Sequence, residues 1–175
     1  MKQLLVIVDY QNDFVCGSLG FEKAKCLENA LCTKIEEYLK AGQDILFTFD
    51  THGEDYLQTQ EGRRLPVAHC IKGTPGWELY GRIADYQDRA AACLEKAAFG
   101  SVALADYLRE HPYDRIELAG VVSNICVISN AVLAKAALPE AEIIIDAQCT
   151  ASNDDTLHNK ALDVMEGLQM TVINR

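Results

Sequence analysis

Four kinds of reactive side chain fall at corresponding places in this sequence. Asp9 closes the apolar run "LLVIVD", Asp50 follows "DILFTF" with His52 two residues on, Lys96 follows "ACLE", and Cys126 lies just beyond "RIELAGV". Each has an ordinary structural explanation when taken singly: an Asp caps a turn, a Lys is solvated, and a Cys packs as a small hydrophobe. Together they supply an acid, a cation and a thiol, which is the equipment of a cysteine hydrolase. A thiol is a strong nucleophile as thiolate, and both a helix N-terminus and an ammonium group lower its pKa, while a carboxylate takes the proton. Ser123 or Asn124 is the expected N-cap, which would set Cys126 beside free first-turn N–H groups able to form an oxyanion hole. Five other thiols lack such company: Cys26 and Cys32 fall in the first long helix, Cys93 in a strand, and Cys16 and Cys149 in loops.

A second group lies in "DTHGEDYLQTQEGRRLPVAHC". Asp50 and His52, at i and i+2 on an extended segment, point to one side, and a returning His69 completes three ligands with open positions. Glu61 is a candidate fourth. Mixed carboxylate and imidazole donors suit a divalent metal, Zn first, with Fe or Mn as alternatives. The competing reading is a hydrogen-bonded loop without metal. His111 and His158 have no such neighbours and read as surface residues. Phe14 and Phe99, close to Asp9 and Lys96, are candidate apolar walls for a flat substrate, or core residues. No GxGxxG or GxxxxGK[ST] pattern occurs, so nucleotide binding has little support.

Those residues need a scaffold that brings strand ends together. Apolar, β-branched runs at 4–9, 44–49, 92–95, 115–121, 142–147 and 170–174 read as six strands. Helical patterns separate them: "EKAKCLENALCTKIEEYLKAG" to a C-cap at Gly42, "SVALADYLREH" from an N-cap at Ser101, "NICVISNAVLAKAAL" and "NDDTLHNKALDVMEGL". Alternating strands and helices predict an α/β fold, a three-layer α/β/α domain with a six-stranded parallel sheet, whose central strands are hydrophobic on both faces. Ligands of such sheets bind beyond the carboxyl ends of the strands, where the residues above lie. Residues 51–91 break the rhythm, with one short helix expected near "GWELYGRIA", and read as a long functional loop.

The chain has 175 residues, enough for a single domain over 1–175 with its own core. Seven scattered cysteines without a CxxC pair argue against a disulfide framework and for a reducing, cytoplasmic setting. The apolar run after Met1 is too short for a signal peptide or a membrane span. A net charge of -10 without a basic cluster argues against nucleic acid or an anionic membrane as partner and for a small molecule.

In "VIVDYQNDF", "EKAAFGS" and "GVVSNICVISNA" the chain resembles the isochorismatase-like cysteine hydrolases, in the family's order and across nearly its whole length. The resemblance implies Cys126 as nucleophile, Asp9 as the acid/base and Lys96 as the cation holding both. It also implies a cis Val121–Val122 peptide, with the Val122 and Cys126 N–H groups facing the oxyanion. Asp50, His52 and His69, with "LPVAHCIKGTPG", resemble the metal motif of the nicotinamidase branch, and Glu61 matches a variable further ligand. Phe14 resembles a ring-lining aromatic. The implied reaction is hydrolysis of a small amide, nicotinamide to nicotinic acid and ammonia, through a Cys thioester, in an enzyme that is commonly a homo-oligomer. Two positions depart from the pattern: Asn124 replaces a frequent Asp, and Leu65 stands where an aromatic pocket residue is common. The alternatives are a hydrolase of a ureido or carbamoyl compound, and a non-catalytic or redox-responsive thiol protein.

Overall fold

The computed structural model describes residues 1–175. Six strands, β1 (Gln3–Val8), β2 (Asp44–Asp50), β3 (Ala92–Lys96), β4 (Arg115–Val121), β5 (Glu142–Ala151) and β6 (Thr171–Ile173), form one sheet in the order β3-β2-β1-β4-β5-β6. Every pairing is parallel. The helices are α1 (Asn12–Val15), α2 (Glu22–Cys26), α3 (Glu28–Lys40), α4 (Val102–Glu110), α5 (Ile128–Ala137) and α6 (Asp155–Gly167).

Side chains alternate along each strand, and here both faces are covered. Leu4, Val6 and Val8 pack with Leu104 and Leu108 of α4, Ala131 and Ala134 of α5, and Leu162 and Met165 of α6. Leu5 and Ile7 pack on the opposite side with Leu31, Cys32 and Ile35 of α3, Ala24 of α2, and Phe47. Each fully buried Leu or Ile contributes about 1.5–3 kcal/mol, so the two layers hold the sheet like covers on a book. No helix is long and apolar enough to cross a membrane.

Several expected boundaries move. The long first helix is two helices joined at Leu27, which is itself in αR conformation. The short helix expected near "GWELYGRIA" is replaced by 3-10 turns at Pro75–Trp77 and Gly81–Arg89. Pro75 starts the first, and Gly81, at φ 53, breaks any continuous helix between them. Strand β5 runs past 147 to Ala151, after a register shift opposite Leu118–Gly120, so Cys149 is buried in the sheet rather than in a loop. Gly120 adopts φ 107, and a Cβ there would overlap the Val8 backbone. Only glycine fits so close to the neighbouring strand.

Register sets the height of the site. Asp50 pairs with Lys96, and Val8 pairs with both Thr48 and Gly120, so the residues that follow β1, β2 and β4 emerge at one edge.

Candidate active site

Asp9 leaves β1 at φ 48, in the left-handed region that non-glycine residues rarely adopt and that is concentrated at functional sites. Its Oδ1 accepts from Thr48 Oγ1 at 2.7 Å, and its N–H donates to the Thr48 carbonyl at 3.2 Å. Lys96, at the end of β3, places Nζ 2.7 Å from Asp9 Oδ2, 3.0 Å from Asp50 Oδ1 and 3.6 Å from Cys126 Sγ. Asp9, Lys96 and Cys126 are 0%, 6% and 5% exposed. One ammonium therefore bridges two carboxylates beside a thiol, in a site largely shielded from water.

The local structure at Cys126 differs from the expectation. Residues Ser123–Val127 form a π turn that runs into α5, and neither Ser123 nor Asn124 caps it through its side chain. The turn is closed by Ile125 and Val127 N–H groups donating to the Val122 carbonyl at 3.0 and 3.1 Å. The Val121–Val122 peptide is cis. Burial, with the Asp9 charge, pushes the Cys126 thiol well above its ordinary value, and Lys96 only partly opposes this. In this site the pull of Lys96 toward the thiolate works against burial and the Asp9 and Asp50 charges. Burial also raises the Asp9 carboxyl, against the pull of Lys96, so the carboxylate beside this thiol is an unusually good proton acceptor. Lys96 stays charged: Asp9, Cys126 and Asp50 outweigh its own burial and raise it.

Asp50, His52 and His69 converge beside this trio, all three buried and each offering a ligand atom within 4.8 Å of the others. Asp50 Oδ2 lies 3.0 Å from His52 Nε2 and 3.3 Å from His69 Nε2. His69 Nδ1 is 2.8 Å from the Val67 carbonyl, a bond in which Nδ1 donates, so that in the neutral ring the ligand lone pair lies on Nε2. Glu61 Oε1 stands 3.9 and 3.8 Å from the two Nε2 atoms. Two imidazole nitrogens with a shared carboxylate fit a borderline divalent ion such as Zn, Fe or Mn.

A cavity of about 240 Å³ opens onto both groups, lined by Phe14, Leu65, Phe99, Val122 and Ile125 together with Asp50, Glu61, His69 and Cys126. Every residue expected at the site from the sequence is therefore in one place: His52, Asp9 and Lys96 stand behind the lining. The wall is mainly apolar, and Phe14 is tilted against the His69 ring at 5.5 Å. Leu19, Phe21 and Asn153 complete it, and nothing in their spacing points to this site.

Other contributors also escape the sequence. Gln11, fully buried, bonds both the N–H and the carbonyl of Asp50, at 2.8 and 2.9 Å, and so fixes that carboxylate's backbone. Tyr56 packs against His52 and His69, tilted on the first and edge-on to the second, with ring centroids 4.7 and 4.9 Å apart. Asn130, a buried polar residue inside α5, donates to the Cys126 and Phe99 carbonyls, at 2.8 and 3.1 Å, and accepts from the Ser101 N–H at 2.9 Å. A mid-helix Asn in an otherwise apolar stretch is the one such signal the sequence carries. His111 is exposed, as expected, but His158 is half-buried, with Nδ1 2.9 Å from Ser123 Oγ.

The isochorismatase domain family matches residues 3–175. The isochorismatase family protein PncA of Bacillus subtilis (strain 168) is 32% identical over 177 residues, covering 93% of each chain. The crystal structure of nicotinamidase PncA from Bacillus subtilis superposes with a TM-score of 0.87 at 30% identity, over 98% of this chain and 99% of that one. The pyrazinamidase of Pyrococcus horikoshii, solved in complex with zinc, shares the fold with a TM-score of 0.87 at 24% identity, over 100% of both chains.

Proposed function

This chain belongs to the isochorismatase family, and from that premise we propose that it is a nicotinamidase, a cysteine-dependent amidohydrolase converting nicotinamide and water to nicotinic acid and ammonia. The observation that carries the reading is the Lys96 ammonium 2.7 Å from Asp9 and 3.6 Å from Cys126 Sγ, behind an apolar cavity lined by Cys126 together with Asp50 and His69.

A planar ring fits between Phe14, Leu65 and Phe99, with its carboxamide toward Cys126. The Cys126 sulfur attacks the amide carbon while its proton passes to Asp9, so that no free thiolate has to accumulate. The carbonyl oxygen takes up negative charge, facing the Val122 and Cys126 N–H groups. Asp9 returns the proton to the leaving nitrogen, the C–N bond breaks, and ammonia departs from the thioester. Water then adds to the thioester carbon, giving its proton to Asp9, and the C–S bond breaks to release the acid and restore the thiol. Lys96 stays charged throughout and keeps Asp9 and the sulfur in register.

Asp50, His52 and His69, with Glu61 alongside, would hold a divalent ion, Zn by preference and Fe or Mn as alternatives, which when bound supplies a Lewis acid for a ring nitrogen. The reading also carries a small-molecule amide substrate, a cytoplasmic homo-oligomer, and no nucleic-acid or membrane partner. The test is ammonia release from nicotinamide, pyrazinamide and a set of ureido compounds by native, chelated and metal-restored enzyme. Release from the pyridine and pyrazine amides, lost on chelation, is expected. Turnover of ureido compounds alone would overturn the nicotinamidase reading.

A further inference from the structure

The turn carrying Cys126 is gripped from two sides. From α5, Asn130 holds the Cys126 carbonyl. From the other side the contact is made by a residue far away in sequence: Ser123, fully buried and three positions before the nucleophile, sets its Oγ 2.9 Å from Nδ1 of His158 on α6.

The two partners differ in how firmly they are anchored. A π turn lacks the regular i→i−4 ladder, so its placement depends on outside contacts. His158 lies in the first turns of a helix whose start is fixed: Asp154 accepts from the Leu157 N–H at 3.0 Å, and its own N–H donates to Ser152 Oγ at 3.1 Å. The helix is seated by Ala161, Leu162 and Met165 in the core that also contains Cys126 and Val127. Burial, with the nearby Lys23 and Arg175 charges, keeps the imidazole below its ordinary pKa, against Asp155. A neutral imidazole offers Nδ1 as donor or acceptor, and the serine hydroxyl can complement either, so the link holds in both tautomers.

We propose that His158 is a positioning residue for the nucleophile, acting through the Ser123 hydroxyl to set the π turn, and thus Cys126 Sγ, against Asp9 and Lys96. The proposal rests on the reading of Cys126 as nucleophile. His158 neither lines the cavity nor belongs to the metal-ligand cluster, so its loss falls on the reaction step more than on substrate binding. A misplacement of about 1 Å can cost on the order of 10²-fold in rate. Loss of one tether of two is expected to cost about tenfold in kcat, with KM changed by less than about threefold.

The test measures kcat and KM for nicotinamide, and Tm, in Ser123→Ala, His158→Gln, the double variant and Ser123→Thr, with Cys126→Ala in parallel. Expected are similar kcat losses in both single variants, no further loss in the double variant, and recovery to within about twofold in Ser123→Thr, which keeps the hydroxyl. Unchanged kcat in folded Ser123→Ala and His158→Gln, with only Tm lowered, would overturn the positioning role. A double variant losing the product of the two single effects would also overturn it. Both results leave the nucleophile reading intact if Cys126→Ala is inactive, whereas an active Cys126→Ala would remove the premise itself.

Discussion

The Lys96 ammonium lies 2.7 Å from the Asp9 carboxylate, with both side chains almost wholly buried. Attraction and dehydration nearly cancel for such a pair, but removing one member leaves an unpaired charge in the interior. Lys96→Met strands Asp9 and Asp50 and is expected to cost about 3–5 kcal/mol in urea unfolding, besides abolishing turnover. Asp9→Asn keeps the shape and loses the proton acceptor, with an expected fall of about 10²–10⁴ in kcat. A Lys96→Met protein within about 1 kcal/mol of the parent would contradict this charge arrangement.

The Asp50, His52 and His69 cluster is expected to bind one divalent ion per chain. Metal analysis of purified protein should show His69→Ala and His52→Ala depleted. Added Zn should raise the stability of the metal-stripped parent by about 2.7 kcal/mol at a hundredfold excess over its Kd, and leave His69→Ala almost unmoved. An equal response in both proteins would place the ion elsewhere.

Away from the active site, Lys34 on α3 bridges two buried carboxylates, lying 2.6 Å from Glu117 and 2.8 Å from Asp146. Burial pushes the Asp146 carboxyl up, but the bonds from Lys34, Asn174 and the Gln148 N–H outweigh it and leave it lowered. The stability this gives is full above the unfolded value near 3.9 and is lost as pH falls through the folded one. Lys34 is raised by Asp146 and Glu117 despite its burial, so its share is full below the unfolded value near 10.4 and is lost only in strong base. Asp146→Asn should lower stability at pH 7 by about 1.5–3 kcal/mol and flatten the decline that sets in as pH falls below the unfolded carboxyl value. Unfolding curves at stepped pH would expose an unchanged acid slope, which would deny the linkage.

Gly120 is expected to resist substitution. Its φ of 107 and the nearness of the Val8 backbone mean that Gly120→Ala meets both strain and overlap. Destabilisation beyond about 1 kcal/mol by thermal or urea unfolding is expected, and a neutral result would contradict the close β1–β4 approach.

The sheet was legible because its strands are continuous apolar runs, and the site because Asp9, Asp50, Lys96 and Cys126 each follow one. His69 and Glu61 were legible by residue type, as ligand candidates near Asp50 and His52, and the resemblance matched them to a metal motif in a loop that periodicity alone leaves blank. What was not legible depended on partners distant in the chain. Nothing in "SNICVISNA" separates a π turn from an α-helix start, since both bury the same side chains and differ by one residue in the bonding. The same limit hid Thr48 behind Asp9 and Gln11 behind Asp50, whose bonds span 39 residues. His158 read as a surface residue because only the packing of α6 on the π turn shows what faces it. The balance of charges on Cys126 was hidden too: sequence shows a nearby lysine but not the burial and the carboxylates that oppose it.

The most direct measurement is ammonia release from nicotinamide by Cys126→Ala beside the parent, with folding checked by circular dichroism. Loss of the sulfur removes the only atom placed to form the thioester, and kcat/KM is expected to fall by a factor on the order of 10³ or more. A folded Cys126→Ala protein releasing ammonia at the parent's rate would contradict the assignment of Cys126 as nucleophile.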